Sequence, residues 1–458
     1  MSDSPTSYQG SQNQFNSRSM GMKLIVVCAL AVFMTVPVFF VRGMVEDRTE
    51  RAADIVREIS GYSGGQQTFL GPTLLVPYKI ASPSQANFFR HATYFVFPTQ
   101  ASALLKTSTE ERRRSLFKVP VFRADVSLDA AFDLTGVPSV DLQGAEFDWS
   151  RAEIVVGVSD TRGALADATL TLEGKTTTLL PAAIAAEIRI GGDQNMPVKL
   201  SLLGTKVDGI ALPNARFSVT SSLRFSGAQR IAVLSYGKTT RLSAQGDWPS
   251  PGFDGGFLPV RRTINRNGFA AEWSVPFIAR GVRAEGTIDA LTGLQSTALG
   301  TSFIEVADPY QSVSRSIKYV LLFLGLIFLS YFAFEAATGK RVHPAQYVLV
   351  GIAQAIFYLL LLSLAERIGF DWGFFLAGAA TVSLLSINVG WVFASRLQGV
   401  IALATFSLLY LFIYVLLRME DNALLVGAIA SFFAMAAAMY LTRRIDWYGS
   451  HPTVSDER

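Results

Sequence analysis

The stretch YVLLFLGLIFLSYFAF at residues 319–334 decides the fold, because sixteen residues pass without a formal charge. A hydrocarbon core about 30 Å thick needs roughly 20 residues of apolar helix, each rising about 1.5 Å. The run approaches that length by continuing over 335–337. Runs of the same kind follow at 345–365, 373–394, 399–417 and 423–441, and another stands near the start at 24–41. One interior helix of a water-soluble protein can be this apolar. Five in tandem on short charged links would leave no polar face for water. The pattern predicts a membrane protein with six transmembrane helices and a long polar region between the first and the second.

Lys and Arg resist translocation, so their placement on short loops sets orientation. With the N-terminus inside, the cytoplasmic segments carry Arg18, Lys23, Lys340, Arg341, Arg396, Arg443 and Arg444. The opposite short loops carry only Arg367 and Arg418, beside Glu366, Asp371, Glu420 and Asp421. This bias puts both termini in the cytoplasm and the polar region outside it, in the periplasm of a Gram-negative bacterium. A cleaved signal peptide would show a small-x-small site after Val41. Arg42, Gly43 and Met44 stand there instead, which favours an uncleaved anchor.

The expected plan is a disordered cytoplasmic tail over 1–23, a first transmembrane helix over 24–41 and a stalk helix over 42–60. A periplasmic β-rich domain over 61–317, a five-helix bundle over 318–441 and a cytoplasmic tail over 442–458 complete it. Ser, Gln, Asn and Gly dominate the first 20 residues and cannot bury a core. Along the stalk, Ala52, Ile55, Val56 and Ile59 share one helical face, and Gly61, Gly64 and Gly65 are expected to stop it.

The net charge is +4, and residues 42–318 hold 30 Lys and Arg against 27 Asp and Glu. Nothing there implies a strongly charged partner, and nothing suggests nucleic acid. The single cysteine, Cys28, lies in the first apolar run, so the outer domain has no disulfide and must rest on its own core.

That domain alternates at period two. Phe217, Val219, Leu223 and Phe225 share a face with Ser221, while Ser218, Thr220, Ser222 and Arg224 take the other. Ala124, Val126, Leu128, Ala130 and Phe132 repeat the pattern. Further strands are expected at 68–80, 91–97, 154–158, 169–172, 198–202 and 231–236. Many short strands with one solvated face predict an antiparallel, sandwich-like β domain, and hence an α plus β membrane protein. One lobe or two remains open at this point.

Within it, WPSPGFDGGFLP at 248–259 combines three prolines and three glycines with Trp248, Phe253 and Phe257. Such a stretch is expected to form no regular element. Its aromatics are either contact anchors for a ligand or peptide, or the packing of a loop over a sheet edge.

Several stretches resemble the CreD family of inner-membrane, cell-envelope integrity proteins: GPTLLVP at 71–77, the 248–259 motif and DPYQ at 308–311. Others are FAFE at 332–335, HPAQYVLVG at 343–351, FYLLLLSLAE at 357–366 and LTRRIDWY at 441–448. The resemblance runs from the first apolar run to Tyr448, with the same six-helix plan. It departs in the N-terminal extension, the tail and the central β region. It implies a bacterial inner-membrane location and a role in envelope integrity, in some relatives under a two-component regulator. It brings no reaction, ligand or catalytic residue.

The residues themselves supply no reaction either. His91, His343 and His451 are far apart, and no HExxH, paired-cysteine, GxxxxGK[ST] or GxGxxG pattern occurs. A non-enzyme without metal or cofactor is expected. Polar groups in the apolar runs are the alternative place for function, since burying them is costly. Glu335 and Glu366 sit at the ends of the second and third runs, where carboxylates can reach headgroup water. Gln354 and Asn388 lie within the third and fourth. A proton or solute path competes here with structural glue. Gly427 with Ser431, and Ala430 with Ala434 and Ala438, allow close helix contact on the last run. Lys340, Arg341, His343 and Pro344 form a cationic turn suited to anionic headgroups, and Trp447 and Tyr448 suit the interface.

The leading expectation is a non-catalytic protein whose β domain meets a periplasmic protein, polymer or lipid while the helices hold it in the bilayer. The rivals are a transporter or lipid-handling bundle, and a signal-transduction component.

Overall fold

The computed structural model describes residues 20–81, 89–114, 117–139, 142, 144–191, 197–303, 309–338, 340 and 342–418, with positions 425, 427–429, 432, 436 and 439. The protein is α+β. It divides into two compact units, one of Met1–Arg51 with Ala307–Arg458 and one of Ala52–Val306.

The helices are α1 (Met20–Phe33), α2 (Thr35–Tyr62), α3 (Phe277–Arg280), α4 (Pro309–Lys318), α5 (Val320–Thr338), α6 (Pro344–Ile368), α7 (Phe370–Val392) and α8 (Arg396–Arg418). Among the described residues, four helical stretches are long and apolar enough to cross a membrane: Lys23–Tyr62, α6, α7 and α8. A fifth arises if α4 and α5, bent by 56° at their junction, count as one span. Tyr319 forms that break, so the run that opens at 319 in the sequence is preceded by a further, charged helix. The 423–441 run is helical at its few described positions. Most of it, with Ala430, Ser431, Ala434 and Ala438, lies outside the described residues, as do the 1–19 tail, Arg341, Trp447, Tyr448 and His451.

Helix α2 continues through Gly61 and ends at Tyr62, a correction to the expectation that Gly61 would help stop it. Glycine costs a helix interior only about 1 kcal/mol, whereas Gly64 and Gly65 adopt φ of 86° and 61°, which an α-helix cannot continue. The Ser63 and Gly65 N–H groups then donate to Ser60 O at 3.0 and 2.6 Å and close the end. On the preceding turns Val56 and Ile59 pack against buried Val119, Val121 and Ala228, the use their helical spacing predicts.

The Ala52–Val306 unit holds two sheets. One follows the order Glu187–Ile190, Val198–Lys206, Glu153–Val158, Gln67–Ala81, Arg230–Val233, Leu299–Phe303, Pro251–Gly255, with short strands added at its flanks. The other follows Arg261–Asn265, Gly268–Val275, Thr239–Gly246, Gln100–Arg114, Phe117–Asp133, Arg216–Ala228, Thr169–Leu172, Lys175–Thr178. Both are mixed rather than wholly antiparallel. Gln67–Ala81 runs parallel to Arg230–Val233, and Gln100–Arg114 runs parallel to Thr239–Gly246. Period-two alternation carries face but not direction, so a parallel neighbour brought in by a long crossover leaves no local trace.

One apolar core lies between the sheets. Phe69 of the first meets Phe225 of the second edge-on at 5.5 Å, and Phe303 meets Phe122 at 5.1 Å. Tyr236, wholly buried just after Arg230–Val233, ties them with its hydroxyl, which lies 2.7 Å from Ser102 O and 2.9 Å from Asp129 O. Burial, with the nearby Asp129 carboxylate, raises this phenol well above its usual titration range. The neutral form is thus favoured in the folded state. Its contribution is complete below about pH 10 and is lost as pH climbs from there toward the raised folded value. Tyr236→Phe is expected to lower stability by about 1 kcal/mol at neutral pH and to flatten part of the alkaline decline, read by denaturant melts across pH.

Candidate functional site

Glu335 lies near the end of α5, one turn before the chain leaves the helix. The carboxylate is 2% exposed, so the expectation that it reaches headgroup water is corrected. Its burial is possible because three partners surround it. Oε1 pairs with Lys23 Nζ of α1 and accepts the Val342 N–H at 3.0 Å, while Oε2 accepts the Tyr347 hydroxyl of α6 at 3.0 Å. A buried ion pair is tolerable only when its remaining lone pairs are satisfied, and this carboxylate meets that condition. The consequence is a polar lock joining α1, α5 and α6.

His343 is exposed and caps α6, its Nδ1 accepting the Ala345 N–H at 3.2 Å, with Pro344 at the first helical position. Lys340 Nζ donates to Phe393 O just past the end of α7. The turn therefore spends its polar groups on two helix termini, where the orphan groups and the macrodipole favour them.

Deeper in the bundle, the Tyr410 hydroxyl of α8 donates to Gln354 Oε1 of α6 at 3.0 Å, and Gln354 Nε2 has no partner among the described residues. Asn388 of α7 accepts from the Tyr331 hydroxyl of α5 and donates to Gln346 Oε1 of α6 at 3.3 Å. Toward the other end, Glu366 accepts the Tyr310 hydroxyl of α4 at 3.1 Å and stands 3.8 Å from Arg48 Nε of α2. Tyr414 of α8 donates to Asp371 of α7 at 3.0 Å, and Arg418 pairs with the same carboxylate. Sequence reading singles out Glu335, Gln354, Glu366 and Asn388 but misses Lys23, Tyr310, Tyr331, Tyr347 and Tyr410. A tyrosine inside an apolar run reads as bulk, and its hydroxyl's partner sits dozens of residues away.

The 248–259 stretch makes a regular element after all. Pro251–Gly255 is an edge strand paired with Leu299–Phe303. Proline is compatible with the first position of an edge strand, where no partner needs its missing N–H. Trp248 meets Phe303 at 6.3 Å, and Phe253 meets Phe269 and Trp273 at 5.9 and 5.7 Å. Trp273 Nε1 donates to Phe257 O at 3.1 Å. All three aromatics of the motif are packed, half-buried, on the β core. Gly256 is required by close approach, since a Cβ there would fall 1.8 Å from Ser296 O. His91 is exposed on Phe89–Val96, and no group of three His, Cys, Asp or Glu among the described residues is placed to hold a metal ion. Among the described residues, the loop aromatics pack on the β core and the bundle residues bond to other helices.

A family model described as inner membrane protein CreD matches residues 19–448. The inner membrane protein CreD of Escherichia coli (strain K12) is 26% identical over 432 residues, covering 93% of each chain. The match takes in the α5–α6 lock, the bundle tyrosines and the whole β unit. The chain belongs to the CreD family of inner membrane proteins.

Proposed function

We propose that this chain is a non-catalytic, multi-pass support of cell-envelope integrity. Both termini are cytoplasmic, and the β unit is periplasmic and engages an envelope protein, polymer or lipid. The observation that carries this reading is the use made of polar groups in the bundle. Glu335, Gln354, Glu366 and Asn388 each bond to side chains of other helices, as helix-fastening groups do. A bundle fastened in this way serves as an anchor and leaves recognition to the β unit. The excess of Lys and Arg on alternate short loops supports the orientation.

Two measurements test it. A reporter that is active only after export, fused near residue 200, is expected to be active. Cells carrying the helices without residues 67–303 are expected to be as sensitive to envelope stress as cells lacking the protein. Full resistance from the helices alone would transfer the function to the bundle and favour the transport or lipid-handling reading.

A further inference from the structure

Where α2 ends against the Ala52–Val306 unit's second sheet, a cavity of about 500 Å³ opens, within the size range of small-molecule sites. Its floor is one row of that sheet, Ser108, Arg123 and Ser226 standing directly opposite one another on neighbouring strands. Arg112, Arg162 and Arg224 line its sides, and Tyr62 and Leu165 form an exposed rim.

Three of the four guanidinium groups are neutralised locally: Arg112 by Glu110 at 2.9 Å, Arg162 by Asp160 at 2.6 Å and Arg224 by Asp125 at 2.8 Å. Arg123 has no ion-pair partner among the described residues, so the cavity keeps one uncompensated positive charge. The Ser108 and Ser226 hydroxyls stand beside Arg123 in the same row, donating to Asp247 Oδ2 at 3.3 Å and to Ser63 O at 3.0 Å, so each keeps lone pairs for a further donor. The wall is rigid. Gln67 Nε2 clasps Gly64 O at 2.7 Å and Asp160 O at 3.0 Å, and a Cβ at Gly163 would fall 2.4 Å from Ser226 O, so the turn bearing Arg162 sits directly on the strand.

We propose that this pocket binds an acidic saccharide carrying one carboxylate per sugar. Arg123 takes the carboxylate, the Ser108 and Ser226 hydroxyls accept from ring hydroxyls, and Tyr62 stacks on the C–H face of the ring. A single free cation among many hydroxyl-bonding groups matches a sugar acid better than a polyanion, which would meet Glu110, Asp125 and Asp160 as well. The proposal rests on the reading of the β unit as the part that recognises an envelope component, and it supplies that component's chemistry.

The test uses the full chain in detergent micelles, titrated with sodium glucuronate by saturation-transfer NMR, with glucose and inorganic phosphate as comparisons. Saturable glucuronate binding is expected, with glucose at least about tenfold weaker. Arg123→Gln is expected to weaken glucuronate by about tenfold or more, and Tyr62→Ala by a few fold. Both side chains are exposed, so the variants should melt with the parent. Glucuronate binding that is absent, or unchanged in Arg123→Gln, overturns the site. Glucose binding equal to glucuronate overturns the carboxylate's role, and tighter phosphate binding overturns the saccharide. Binding in micelles is independent of compartment. A silent reporter at residue 200 would therefore remove the periplasmic placement alone, and failed titrations beside an active reporter would remove only the pocket.

Discussion

Glu335→Ala is expected to cost about 3–5 kcal/mol and to lower the melting temperature of the detergent-solubilised protein markedly, because it leaves partners stranded inside the bundle. Lys23 Nζ would lose its counter-charge, and the Val342 N–H and the Tyr347 hydroxyl would lose their acceptor. The cost comes from orphaned groups rather than from the pair's net attraction, so removing both charges should be milder. Lys23→Met combined with Glu335→Met is expected to recover the part of the loss owed to the stranded ammonium, while the Val342 N–H and the Tyr347 hydroxyl stay without their acceptor, by circular dichroism melts of the single and double variants. Parent-like melting of Glu335→Ala alone would show that the lock contributes nothing. A double variant as unstable as the single would show that Lys23 is not the partner that matters.

Gly71→Ala is expected to be nearly as damaging, through overpacking rather than through lost charge. Gly71 lies within Gln67–Ala81, and a Cβ there would fall 2.4 Å from Tyr236 Cζ and 2.5 Å from its Cδ2. A ring edge can often yield by a few tenths of an ångström, but this ring is fully buried and its hydroxyl is held beside two carbonyls of the facing sheet. Overpacking typically costs about 1–3 kcal/mol, and an immovable ring puts this site at the upper end. Pairing Gly71→Ala with Tyr236→Leu should return part of it, since the smaller side chain vacates the space. Denaturant melts of the full chain check both, and an additive double variant would mean that the two positions do not collide.

The apolar helices and the alternating strands were readable because each writes its burial into a short window. Arg216–Ala228 alternates exposed and buried residues over most of its length, as the period-two reading of Phe217 to Phe225 expects. Thr169–Leu172 has the bounds that its sequence suggests. Gln100–Arg114 escaped because its last five residues, EERRR, are solvated on both faces and carry no alternation. Pro251–Gly255 escaped because its prolines and glycines read as turn chemistry, although an edge strand tolerates both. The site residues divide the same way. A carboxylate in an apolar run announces itself, but whether it is wetted or locked depends on Lys23, which is 312 positions away from Glu335. Arg123 and its row of hydroxyls were invisible for a related reason. Ser108, Arg123 and Ser226 become neighbours only through strand register.

The parallel pairing of Gln67–Ala81 with Arg230–Val233 sets an order of events for the growing polypeptide. Gln67 is matched to Ile231, so the earliest strand to emerge must wait for more than half of the unit to be made before its central neighbour exists. Closing so large a loop is slow, and an unpaired apolar ribbon is prone to self-association in the meantime. Nascent chains halted between these two segments should therefore depend on holding chaperones, whereas chains halted after Leu299–Phe303 should not.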